Sequence, residues 1–246
     1  MHYQRKLSLK NGDAGVSPVV GVMLMLVVTI IIAAVVSGFS GGLVGSTNQN
    51  APTLTMDVKI SNSGSYSGSG FTATITSVSD PIPTKNIKLV TSWKTTSRSS
   101  GDSLSGGSSS MPLEINVDSY EVSSTGTLTS VTGSAPYGTG PGVTGNQDAV
   151  NPGTAQQFGN FTLTQGTGLV ALAYPSVLTG SASVSEGYGV TTKYVYSSFD
   201  GKTDAATAVL GSNWQNLKAG DTVNVKLIHI PTGKVIYEKD VAVTEG

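Results

Sequence analysis

Apolar and polar positions follow two different regimes along the chain, and the break between them lies near residue 45. Residues 16–45, VSPVVGVMLMLVVTIIIAAVVSGFSGGLVG, hold no charged side chain, and residues 18–36 form an almost unbroken apolar run of nineteen. As an α-helix that run approaches the length that crosses the roughly 30 Å hydrocarbon core of a bilayer. Ser17 can cap the first free backbone N–H groups, and Pro18 suits the first helical position, where its missing N–H costs nothing. In the far half small residues recur every fourth position: Ala33, Ser37, Gly41 and Gly45 form one stripe, and Ala34, Gly38 and Gly42 the stripe beside it. A seam of this kind lets helix backbones approach closely. A lone signal anchor is the simplest reading of such a stretch. An ordinary cleaved signal peptide fits less well, because its apolar region is about 7 to 15 residues long.

Residues 46–52, STNQNAP, form a short polar linker ending in proline. Beyond it the period shifts to two. Strands are predicted over residues 53–60, 70–78, 86–93, 113–122, 158–163, 169–174, 190–196, 222–230 and 234–243, separated by Gly, Pro, Asn and Ser clusters. The clearest pair is the last, in which Val223, Val225 and Leu227 alternate with Asn224 and Lys226 before Pro231-Thr232-Gly233 turns the chain. One short helix is predicted at DAATAVL, residues 204–210, with Gly211 as its stop and Trp214 packing it on the sheet. The fold class is therefore α+β: a long apolar N-terminal helix, then an all-β head, residues 53–246, of sandwich or immunoglobulin-like type. Residues 95–110 and 125–154, rich in Ser, Thr, Gly and Pro, are predicted to be surface loops.

Composition narrows the chemistry. The 246 residues carry a formal net charge of -1 with 12% charged side chains, so there is no basic field for nucleic acid. Cysteine is absent, which removes disulfides, thiolate catalysis and Cys-ligated metal together. Arg5, Lys6 and Lys10 precede the apolar run, which places the N-terminus in the cytoplasm and everything after Gly45 outside. Asn160-Phe161-Thr162 is an acceptor for N-linked glycan in an exported domain.

No catalytic site, metal site or cofactor is predicted. Gly38-Phe39-Ser40-Gly41-Gly42 matches G-x-S-x-G but sits in the apolar helix rather than on a strand-to-helix turn. Residues 140–145, GPGVTG, match G-x-G-x-x-G without a βαβ unit, so turn chemistry explains them. His229 alternates onto the apolar face of its strand and is predicted to be a hydrogen-bonded structural histidine. Asp200 and Asp204 lack calcium-loop spacing and are read as a solvated turn. Tyr194 and Tyr196 are placed on one face of a strand, packed in the core or between subunits, with a binding platform for sugar or protein as the alternative reading.

The basic leader, then Asn11-Gly12-Asp13-Ala14-Gly15 and the ordered run Val16-Ser17-Pro18-Val19-Val20-Gly21-Val22-Met23-Leu24-Met25, resemble the N-terminus of archaeal type IV pilin precursors. Residues 217–223, LKAGDTV, residues 228–236, IHIPTGKVI, and residues 80–87, DPIPTKNI, are similar to other stretches of the same family. The resemblance implies a leader, residues 1–15, removed by a membrane prepilin peptidase between Gly15 and Val16. It implies that the helix, residues 16–45, becomes the core of a filament made of copies of the chain, with the pilus assembly machinery as partner. Bacterial type IV pilins carry a Glu at the fifth mature position; Val20 stands there here. Implied with these are a membrane-held precursor, a surface filament and a task in adhesion, with the archaellin type of motility filament a near neighbour. Two alternatives stay open. One is a monomeric, membrane-anchored extracellular β-domain that keeps its leader and binds polysaccharide or protein in an aromatic-lined groove. The other is a domain secreted by ordinary signal cleavage near Ser40.

Overall fold

The structure is a computed structural model and describes residues 18–44, 51–122, 128–145, 147, 152–174, 177–178, 187–197 and 202–246. The chain divides into two compact units, Met1–Gln49 and Asn50–Gly246.

The described residues of the first unit form one helix, α1 (Pro18–Val44), which runs for 27 residues, about 40 Å at 1.5 Å per residue. Every side chain from Pro18 to Ser37 is exposed, and the helix has no polar face. The Thr29 hydroxyl donates to the Leu26 carbonyl at 2.9 Å, which is how a lone hydroxyl is hidden in an apolar helix. Pro18–Ser37 is long and apolar enough to cross a membrane. Ala33, Ala34 and Ser37 are exposed on this helix, and Gly38, Gly41 and Gly42 continue it. Gly15, Val16, Ser17 and Gly45 lie outside the described residues, and with them the cleavage point, the cap and the last member of the seam.

The second unit is the β-rich head. Its strands are β1 (Leu54–Ser61), β2 (Gly70–Val78), β3 (Ile82–Pro83), β4 (Ile87–Thr96), β5 (Ser103–Ser110), β6 (Val117–Val122), β7 (Leu128–Gly133) and β8 (Tyr137–Thr139). After these come β9 (Thr162–Leu163), β10 (Gly168–Leu172), β11 (Val177–Leu178), β12 (Gly187–Tyr188), β13 (Tyr196–Ser197), helix α2 (Ala205–Leu210), β14 (Thr222–His229) and β15 (Lys234–Thr244). Eight of them form one sheet in the order β5-β4-β14-β15-β1-β2-β10-β8. All its pairings are antiparallel except β1 with β15, which meet in parallel only at Ile60↔Val243 and Ser61↔Thr244. The sheet therefore has two four-stranded antiparallel halves hinged at that corner. Helix α2 touches β4 and β5 in one half and β2 and β10 in the other, so the sheet curls around it.

Helix α2 is short, and side chains of the sheet satisfy its free ends. Asp204 caps the start, its carboxylate accepting from the Thr207 N–H at 2.8 Å, the Tyr174 N–H at 3.1 Å and the Tyr196 hydroxyl at 2.9 Å. At the other end the orphan carbonyls of Ala208, Val209 and Leu210 accept from Ser108 Oγ, Thr91 Oγ1 and Trp93 Nε1 at 2.6, 2.5 and 2.6 Å. Trp214 is fully buried beside Leu210 and Leu217, as expected, its indole N–H reaching the Tyr196 hydroxyl at 3.0 Å.

Several expectations are corrected here. Serine-rich residues 103–110 are a strand rather than a loop, because the small residues are what its neighbours require. A Cβ on Gly106 would stand 2.3 Å from the Trp93 ring, and one on Gly107, at φ +148°, 2.1 Å from the Thr91 carbonyl oxygen. Residues 125–154 likewise contain β7 and β8. The strand predicted from residue 113 begins at Val117, since Leu113 takes a left-handed turn at φ 61°. Of residues 158–163 only Thr162–Leu163 is strand. Residues 190–194 are bends and turns, with Tyr194 at φ 65°, and β13 begins only at Tyr196. Asp204 is wholly buried instead of solvated, and desolvation raises its pKa above the ordinary 3.8 against the pull of its hydrogen bonds. Asp200 lies outside the described residues. His229 is buried on the face of Val223, Val225 and Leu227, with Nδ1 3.0 Å from Thr232 Oγ1, as a structural histidine should be.

Candidate functional site

Strand register gives the head two distinct ends. Chain enters at Leu54, where the Thr53 N–H donates to Ser79 Oγ and the Ser79 N–H to the Thr53 carbonyl, at 3.1 and 3.0 Å. Because β15 runs parallel to β1, the β14–β15 tip lies at this same linker end, and the Ile230 N–H binds the Asn86 carbonyl at 2.8 Å. The β5 strand also finishes there, Ser110 pairing with Leu89 near the start of β4. The opposite, far end gathers the β1–β2 and β4–β5 connections, the turn before Tyr196 and residues 212–221.

At the far end the structure assembles a patch from four separate stretches. Arg98, in the β4–β5 turn, stands with its guanidinium 3.7 Å from the centre of the Tyr194 ring, a cation–π contact. Its Nη2 and Nε donate to the Leu217 and Gln215 carbonyls at 2.6 and 3.2 Å, and its backbone N–H to Asn216 Oδ1 at 3.0 Å. Beneath the ring sits Gly64, where a Cβ would come within 2.8 Å of Tyr194, and the Gly64 carbonyl accepts from the Tyr194 N–H. Buried Asn62 locks the base: Nδ2 donates to Gln215 and Leu217 carbonyls, and Oδ1 accepts from the Tyr188 hydroxyl at 2.6 Å. The surface left to solvent carries Tyr66 and Val195 beside the stacked Arg98 and Tyr194. A bulky residue with positive φ is uncommon and is held by its surroundings, so this patch is rigid. Such a surface can stack on a planar or sugar face and donate charge-assisted hydrogen bonds.

The sequence does not bring these residues together. Tyr194 and Tyr196 were expected on one strand face, but Tyr194 lies on the far-end turn while Tyr196 is turned inward onto Asp204 and Trp214. One signal was present: Arg98 is the sole arginine beyond the leader, set in a serine-rich run whose other charged residue is Asp102. Asn160 is exposed in the turn before β9, its Nδ2 donating to the Thr154 carbonyl at 2.8 Å. It is close to the linker end, since neighbouring Phe158 accepts from the Leu113 N–H. A surface groove of about 510 Å³ is lined by Ser92, Lys94, Asp221, Asn224 and Asp240, with Trp93 buried in its wall. It offers polar side chains rather than the aromatic lining that a polysaccharide groove was expected to show.

Residues 14–56 match the family model described as archaeal type IV pilin, N-terminal. No curated protein and no solved structure matches the chain.

Proposed function

We propose that this chain, which belongs to the archaeal type IV pilin family through its N-terminal segment, is cut by a prepilin peptidase between Gly15 and Val16 and built into a filament that attaches the cell to surfaces. The observation that carries the reading is one of coincidence. The residues that match the family, 14–56, take in the whole of α1, and α1 is apolar on every side with each side chain from Pro18 to Ser37 exposed. A helix without a polar face must be buried in lipid or among other helices. Lipid serves before assembly. Afterwards copies of the same helix bury one another, and the stripes Ala33, Ser37, Gly41, Gly45 and Ala34, Gly38, Gly42 let their backbones approach. The family is one of structural subunits, and the head is then cargo displayed at the surface, with its far-end patch as the attachment face.

N-terminal mass spectrometry on sheared surface material and on membranes of the native host tests this. A mature start at Val16 in the sheared fraction is expected. An intact leader in a host with active prepilin peptidase would sink the filament reading and leave a membrane-anchored binding domain, and a start near Gly41 would mean a secreted one.

A further inference from the structure

We infer that the linker end of the head is a membrane-contacting surface, whose apolar loops rest in the interfacial layer of the bilayer while the helix is still in the membrane. The inference depends on the proposed membrane-held precursor and extends it to the head.

Among the described residues, the large exposed apolar side chains of the head are not spread evenly. Met111, Leu113, Ile115, Ile230 and Val235 all lie at the linker end, with Ile115 68% and Leu113 59% exposed, whereas the far end exposes Tyr66 and Val195. The first three come from one loop, residues 111–116, and the other two flank the β14–β15 tip. This loop is built, not slack. Leu113 is held at φ 61° by its N–H bond to the Phe158 carbonyl at 2.8 Å, and Gly159 leaves the room its side chain needs, since a Cβ there would stand 2.8 Å from Leu113 Cγ. Thr84 ties the same corner to the start of β4, its Oγ1 accepting from the Gly159 N–H at 3.0 Å. A strained backbone spent on holding a leucine toward water points to a partner that is not water.

Two further observations choose lipid as that partner. Nine residues separate the end of α1 at Val44 from the start of β1 at Leu54, a stretch that fully extended reaches at most about 36 Å, so this end is tethered near the bilayer that holds the helix. Among the described residues, Lys85, Lys88 and Lys234 stand at this end with the apolar side chains, and Asp80 and Glu114 are its acidic residues. Lysine stems can lie along apolar surface while their ammonium groups reach phosphate, the usual composition of an interfacial segment.

The chain contains no cysteine, so a single one can be placed cleanly. Full-length protein carrying Ile115→Cys, or Ser99→Cys at the far end, is labelled with an environment-sensitive nitrobenzoxadiazole. It is then reconstituted in vesicles of equal parts phosphatidylglycerol and phosphatidylcholine. The label at 115 should emit further to the blue and be quenched several-fold less by acrylamide than the label at 99. Adding Leu113→Asn, which keeps a residue tolerant of the left-handed backbone but removes the apolar side chain, should restore much of the quenching at unchanged melting temperature. Equal quenching at both labels in protein that floats with the vesicles overturns the inference alone. Protein that does not float overturns the membrane-held precursor with it. Protection at 115 that arises only in assembled filaments also overturns it, in favour of a contact between copies.

Discussion

Gly106 shows how little of a residue's role can be read from its composition. Its position in SLSGGSSS suggests slack, yet its missing Cβ is the space that the Trp93 ring occupies. That ring cannot retreat, because its N–H is spent on the Leu210 carbonyl. Gly106→Ala is therefore expected to cost about 1–3 kcal/mol by overpacking, and Ser105→Ala, on the exposed face, to stay within about 0.5 kcal/mol. Denaturant titration of both variants checks the contrast. Asp204 is the other residue whose environment sets its behaviour. Burial raises its pKa above 3.8, so the folded chain holds this proton more tightly than the unfolded one. Its contribution to stability is complete below 3.8 and is lost as pH rises through the raised value. Asp204→Asn keeps an acceptor for the Thr207 N–H but cannot titrate. The stability of the wild type relative to this variant should accordingly fall as pH rises above 3.8, and denaturation at a series of pH values reads that difference. A constant difference would mean that folding leaves the Asp204 pKa unchanged.

At the level of elements, local pattern and distant contact divide what could be foreseen. The β14–β15 hairpin, α2 with its Gly211 stop, and α1 are legible because period and end signals lie within the segment itself, whereas the burial of Asp204 as the cap of α2 is not. The strand β5 is not, because its glycines answer to Trp93 and Thr91 on the neighbouring strand and its Ser108 to a helix one hundred residues further on. Residues 190–196 mislead in the opposite sense: alternating Val and Tyr suggest a strand, but Gly64 and Arg98 hold Tyr194 in a turn. The far-end patch fails for the same reason, since four segments meet there. Helix α1 was the easiest element to foresee, and its seam yields a test at this scale. Gly38→Leu and Gly42→Leu keep the helix apolar, so insertion in the membrane should be unchanged, but they fill the stripe through which helices would approach. Membrane levels equal to wild type with a several-fold drop in sheared filament are expected, measured by quantitative blotting of the two fractions. Filament yield that stays at the wild-type level would assign the packing to another face.

For the whole molecule the two ends of the head divide the work. The linker end exposes Leu113, Ile115 and Ile230, while the far end carries Arg98 stacked on Tyr194 above a base locked by Asn62. If attachment is the task of the filament, the far end is where it should fail first. Arg98 is a poor residue to remove, because its bonds to Gln215, Asn216 and Leu217 also brace the turn. Tyr194 is better: asparagine accepts the left-handed backbone at φ 65°, and the Tyr194 N–H bond to Gly64 needs no side chain. Tyr194→Asn should then leave the mature N-terminus, filament number and thermal melting as in the wild type, while surface attachment of the cells falls several-fold. Attachment that survives at equal filament number would move the adhesive surface away from the far end and leave the patch a structural clasp. Loss of filaments together with attachment would instead show that this end contacts a neighbouring copy, because a surface reserved for outside partners has no part in assembly.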